Sequence, residues 1–262
     1  MFSLLLAEWM KFKRSKLLVF TVVLFLAIPF LLLLMAGKYF YGDYSAEWHL
    51  LNALKNICSY FGVLTPPVCS VFAIFLFTHE YAEKTVKTIS SVPIGNARFL
   101  ITKLLALFIW ILLISVFVWL CSILISVCFR PHFHFAKLPQ TMSLIFEYLG
   151  RFLLSGLLVF LAVSPVICIT VLSRNAVIPI LFSIIFTIFI TFTVYYTVFD
   201  LFFPWTCIYY LTDSEEYLRV IRATEGRITQ TGVNWIASLT ILVPAIVSYA
   251  VSYLAMNRRD VC

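Results

Sequence analysis

The sequence predicts an all-α membrane protein: six transmembrane helices, an interfacial elbow helix ahead of the first, a short cytoplasmic helix between the second and third, and both termini in the cytoplasm. Three observations predict it. The first is composition. Of 262 residues, 63% are hydrophobic and 12% charged, where an ordinary soluble domain carries about 25% charged residues. The 26 Phe and a mean hydropathy of +1.02 exceed what the interior of a globule this size can hide. The second is length. Six apolar stretches, at about 17–36, 57–78, 104–128, 152–171, 177–199 and 233–256, reach the ~20 residues a helix needs to cross hydrocarbon. The third is charge. With the N-terminus inside, Lys11, Lys13, Arg14, Lys16, Lys84, Lys87, Arg98, Lys103, Arg174, Arg258 and Arg259 fall in cytoplasmic segments, at about twice the density of the outer segments. The whole chain, 1–262, reads as one transmembrane domain. Its formal charge of +7 is a topology signal and not a nucleic-acid one.

The N-terminal segment places Phe2, Leu5, Leu6, Trp9 and Phe12 at helical spacing, with Lys11 and Arg14 on the other face beside Ser3 and Ala7. That pattern fits a helix lying in the interface, apolar side in the lipid and basic side toward anionic headgroups. The alternative is an extension of the first span with snorkelling lysines. The first span is too long for a signal peptide's apolar core and lacks a small-residue cleavage site, so it is expected to be retained.

Residues 79–103 form the largest cytoplasmic segment. HEYAEKTVKTISS is helix sequence, and Glu80–Lys84 and Glu83–Lys87 are i,i+4 pairs in the favourable order. Tyr81, Thr85, Thr88 or Ile89, and Val92 line another face, and Pro93, Gly95 and Asn96 turn the chain. Arg98 and Lys103 anchor the next span. Such a run is either a solvated connector or a docking surface. The short linker from Ser173 to Ala176 shows how little chain a bare connector needs.

The outer segment 200–232 begins with LFFPW, broken by Pro204, which either dips into the outer leaflet or anchors at the interface with Trp205 and Tyr209. Thr212-Asp213-Ser214-Glu215 matches a capping box, and Gly226 suits a helix end, so a helix is expected from about 213 to 225. On the fifth span, Ser183, Thr187, Thr191 and Tyr195 repeat every four residues. They either line a substrate cleft or bond within and between helices. Ala245, Ser248, Ser252 and Ala255 give the sixth span a small-residue face for close packing, within the chain or to a second copy. Pro29, Pro66, Pro67, Pro165 and Pro244 mark kinks.

Several chemistries are absent from the sequence. There is no G-x-x-x-x-G-K-[ST], so the chain has no P-loop to cradle a nucleotide, and no G-x-S-x-G. HEYAE at 79–83 misses the zinc motif H-E-x-x-H because Glu83 stands where the second His belongs. No metal site is expected, His132 and His134 being read as loop residues. The seven Cys are odd in number with no C-x-x-C, which argues against a secreted disulfide scaffold. No charged residue falls near a bilayer midplane, which argues against an ion-coupled carrier or voltage sensor.

Two stretches resemble the permease subunits of type-2 ABC transporters, in particular the short six-span forms linked to self-protection against lantibiotics and bacitracin-like peptides. LLAEWMKFKRSKLL at 5–18 is similar to that family's elbow, with Glu8, Lys11, Lys13 and Ser15 in place and Trp9 and Arg14 beside them. EYAEKTVKTISSVPIGNARFLITKLL at 80–105 is similar to its cytoplasmic pattern, with Glu80, Thr85, Lys87, Pro93, Arg98 and Lys103 in place after a small shift between Pro93 and Arg98. The resemblance implies that about Glu80 to Ser91 is a coupling helix docking a separate ATPase, with Glu80, Tyr81, Glu83, Lys84, Thr85, Lys87 and Thr88 in the contact. It further implies a second permease chain, a copy or a relative, and ATP and Mg held by the ATPase with no cofactor on this chain. The expected function is a non-enzymatic subunit of an exporter in the bacterial cytoplasmic membrane, expelling an amphipathic peptide antibiotic. The alternatives are a stand-alone immunity or sensor protein that binds a ligand or lipid, and an intramembrane protease, for which no catalytic constellation is visible.

Overall fold

The structure, a computed structural model, describes residues 23, 25, 46–82, 96–128, 138–173, 175–193, 199–212, 224 and 229–257. Among them the regular elements are all helical. They are α1 (Ala46–Ala82), α2 (Asn96–Cys128), α3 (Leu138–Ala162), α4 (Ser164–Ser173), α5 (Val177–Thr193), a 3-10 turn (Phe199–Phe202), α6 (Pro204–Thr212) and α7 (Gln230–Asn257). The elbow segment, most of the first span, all of the helix expected over 213–225 except residue 224, and both termini lie outside the described residues. Of the first span, Val23 and Phe25 are helical, and Phe25 is buried with its ring 6.2 Å from that of Phe61.

Four described stretches are long and apolar enough to cross a membrane: Ile57–Thr78, Arg98–Leu124, Met142–Ser173 and Gln230–Met256. In hydrocarbon every backbone group must be satisfied internally, so an apolar run of this length has little choice but helix. The apolar run expected over 177–199 is described in part. The described helix covers Val177–Thr193 of it, about 25 Å of rise, and a 3-10 turn is described at Phe199–Phe202.

Three boundaries differ from the apolar pattern. The helix α1 begins at Ala46, well before Ile57, and α2 begins at Asn96, so Arg98 and Lys103 lie within the helix that carries the next span. The helix α3 begins at Leu138 and carries Glu147 and Arg151, which the hydropathy assigned to an outer loop. The physical reason is local. Arg151 donates to Glu147 Oε1 at 2.7 Å, one turn away, and its guanidinium stacks 5.0 Å from the Tyr148 ring, so the polar turn satisfies itself without leaving the helix.

The break between α3 and α4 has a cause in the sequence. Pro165 has no N–H to give Leu161. At the break the Val166 N–H reaches Val163 O at 3.0 Å, a tighter turn. The neighbouring carbonyl of Ala162 accepts a bond from Trp205 Nε1 at 3.0 Å, and Phe160 O accepts one from Tyr249 Oη at 3.1 Å. Two other elements therefore grip the backbone beside the kink.

Trp205 belongs to the hairpin formed by the 3-10 turn and α6. Pro204 opens α6, where its missing N–H costs nothing. Leu201 O, at the turn, accepts from Thr240 Oγ1 of α7 at 2.9 Å and from Cys207 Sγ at 3.2 Å. The hairpin packs against α1, α3 and α7. Trp205 is 2% exposed, so the interfacial-anchor reading of this residue is corrected: it is enclosed by protein. The close approach to α1 occurs at Gly62, where a Cβ would lie 3.1 Å from Ile208 Cγ2. The small-residue face of α7 is also turned inward. Ala245, Ser248 and Ser252 are buried, and α4 is among the helices packed on α7.

Candidate functional site

The sequence placed its main functional segment where α1 ends and α2 begins. Helix α1 continues without a break through Glu80 and Tyr81 to Ala82, so the start of the expected coupling helix is continuous with the helix that carries the span Ile57–Thr78. Glu83, Lys84, Thr85, Lys87 and Thr88 lie outside the described residues, as do the elbow residues Glu8, Trp9, Lys11, Lys13 and Arg14. The chain between the two helices, 83–95, lies outside the described residues.

Between α1 and α2 sits a residue whose environment the sequence did not disclose. Lys103, on α2, is 1% exposed. Its Nζ donates to the carbonyl of Leu76 on α1 at 2.7 Å. The ammonium lies 4.6 Å from the centre of the Phe99 ring and 5.4 Å from that of Phe77. Phe99 stands one turn before Lys103, the spacing at which helix side chains meet, and this was the available signal. The sequence could not show that α1 would supply the second ring and the carbonyl.

The polar stripe on α5 divides. Ser183 is buried, and its Oγ has no hydrogen-bond partner among the described residues. Thr187 Oγ1 donates to the carbonyl of Ser183 at 2.7 Å, so that hydroxyl is turned to its own helix. Thr191 continues the helix, and Tyr195 lies outside the described residues. The opposite face, with Leu181, Ile185, Ile188 and Phe189, is exposed and apolar, as expected of a lipid-facing surface. Back-bonding is the rule elsewhere: Ser70, Thr78, Ser115, Thr170 and Ser252 each donate to the carbonyl four residues earlier. Ser183→Ala is expected to leave the melting temperature of the purified protein unchanged or slightly raised, because it removes a buried hydroxyl with an unmet bond. A variant that melts normally but has lost its response to substrate would give Ser183 a direct part in transport.

Long apolar helices gathered around a buried hairpin, with a buried lysine between α1 and α2, define a multi-pass helical protein of the cell membrane. The chain belongs to the ABC-2 family of transporter proteins: that family's model matches residues 4–190. The match takes in both stretches that carried the resemblance and ends before the 199–212 hairpin and α7. The chain is also 30% identical, over 145 residues, to the bacitracin transport permease protein of Bacillus licheniformis. That alignment covers 55% of this chain and 66% of the relative, just under two thirds of its length.

Proposed function

We propose that this chain is the permease subunit of an ATP-driven exporter in a bacterial cytoplasmic membrane, and that it moves an amphipathic peptide antibiotic out of the bilayer. The observation that carries the reading is the family match over residues 4–190, joined to the likeness to a bacitracin transport permease. The sequence supports it, since the chain has no P-loop and an energy source must come from outside. In this reading both termini and the 83–95 connection face the cytoplasm. Glu80 to Ser91 docks a separate ABC-type ATPase that holds ATP and Mg, and a second permease chain, a copy or a relative, completes the assembly. The elbow helix rests on the inner leaflet. The apolar, aromatic helix surfaces suit a lipid-associated cargo better than an ion.

The test is purification of the tagged chain in mild detergent from its native host. The wild-type chain is expected to bring down an ABC-type ATPase in stoichiometric amount. Glu80→Ala combined with Glu83→Ala is expected to weaken that association at least tenfold without changing the melting temperature. A chain that purifies alone even after gentle cross-linking would replace the exporter by a stand-alone binding or immunity protein. Normal association and normal cargo-stimulated ATPase activity in the double variant would remove the docking role from these two carboxylates.

A further inference from the structure

We infer that Lys103 is a positioning residue: its ammonium pins the last turns of α1 to the first turns of α2, and so sets the geometry in which the segment between them meets the ATPase. The functional half of this inference rests on the docking reading above; the pin itself does not.

Lys103 lies within the apolar stretch Arg98–Leu124 and is among the largest fully buried side chains. A lysine at the rim of a span ordinarily snorkels, its stem along the helix and its charge in the headgroups. At 1% exposure this one does not. It turns inward, where an ammonium loses its hydration and a leucine or methionine would fill the same space without that loss. Packing alone does not account for it. An ionisable residue enclosed at such a position marks a function, and its partners indicate which.

The partners come from both helices. Phe99 is on α2 and Phe77 on α1, and the charge lies within 5.4 Å of both ring centres. One acceptor is the carbonyl of Leu76 at 2.7 Å. In an α-helix running through Glu80, that same carbonyl receives the amide of Glu80. The ammonium therefore holds the turn that starts the docking segment, from a point close to where α2 leaves it. A shift of one helix end along the other would break the bond and move the charge off one ring. Movement of the segment is thus tied to movement of the two spans as a unit, which coupling between an ATPase and a bundle requires.

The experiment uses the full-length permease in detergent and compares the parent with Lys103→Met, Lys103→Gln, Lys103→Arg and the Glu80→Ala, Glu83→Ala pair. Hydrogen exchange read by mass spectrometry reports the pin without any partner. Lys103→Met keeps the length and loses both donor and charge. It is expected to speed amide exchange at least tenfold in 77–82 and 97–101, and to leave α3 and α7 unchanged. The Kd for the ATPase is expected to rise at least tenfold. Lys103→Arg should stay within threefold of the parent in both readings. Lys103→Gln, which keeps an N–H donor without charge, should fall between, and it serves if the methionine variant does not fold. Unchanged exchange in 77–82 would remove the pin. Acceleration spread equally through α3 and α7 would reduce Lys103 to general packing and overturn the inference. Local acceleration with unchanged ATPase affinity would overturn its functional half. If instead the Glu80, Glu83 pair binds the ATPase normally while Lys103→Met still loosens 77–82, the docking reading fails and the pin stands.

Discussion

Trp205→Ala is expected to lower the stability of the purified protein by about 3–5 kcal/mol, the range for deleting a large buried aromatic. At roughly 2–4 °C per kcal/mol for a chain of this size, the melting temperature should fall by about 10 °C. Two losses combine. The indole is 2% exposed and meets the Phe186 ring edge-on at 4.8 Å, so its removal leaves a cavity at the centre of the bundle. Its Nε1 is also the donor to Ala162 O beside the kink, and that buried carbonyl would lose its partner. Trp205→Phe separates the two, because it keeps most of the volume and removes the donor. It should cost about 1–3 kcal/mol, the penalty of an unmet buried group. Melting of both variants within 1 °C of the parent would mean that the hairpin rests on the bundle without bracing it.

Gly156→Ala is expected to destabilise by about 1–3 kcal/mol, the range for overpacking, although alanine is the better helix former by roughly 0.5–1 kcal/mol. The sign is decided by one distance. A Cβ at position 156 would overlap Ser115 Oγ on α2, nearer than real Cβ atoms approach. The hydroxyl is not free to swing aside, since it donates to Ile111 O at 2.9 Å. The α2–α3 contact would have to open. Ser115→Ala removes the obstacle and leaves its Cβ at 3.4 Å, which a small adjustment accommodates. The double variant should recover most of the loss, and a double-mutant cycle would measure the coupling. Simple additivity would show that the two helices are farther apart in the membrane than this contact requires.

The kink at Val163 shows how the two levels of information join. Pro165 announces a break in any helix that contains it. The sequence does not say which groups will satisfy the loosened backbone. Trp205 and Tyr249 do so from 43 and 89 residues away in the chain, and no local pattern links them. Of the expected functional residues, Glu80 and Tyr81 were placed in helix by their spacing, and α1 indeed runs through them. Ser183 and Thr187 were read as one polar stripe. Thr187 donates to the carbonyl of Ser183, which is the bonding within the helix that the sequence offered beside a substrate cleft.

By itself the sequence determined that this chain is a bundle of apolar helices, and roughly where they run. The apolar stretch Ile57–Thr78 lies wholly within the helix Ala46–Ala82. The cause is the solvent: a backbone in hydrocarbon must bond to itself, so a long apolar run is already a helix before it meets a neighbour. Only the tertiary structure decided which face of each helix is inside. On α2, Leu107, Ile111 and Val118 are buried while Ile101, Leu113 and Leu120 are exposed, and the residue types are the same. Lipid tails are as apolar as the protein interior, so no hydrophobic contrast marks the inner face. What distinguishes it is shape and a few polar contacts: a glycine that admits a serine, a carbonyl that meets an indole, and the Lys103 ammonium enclosed between two helices.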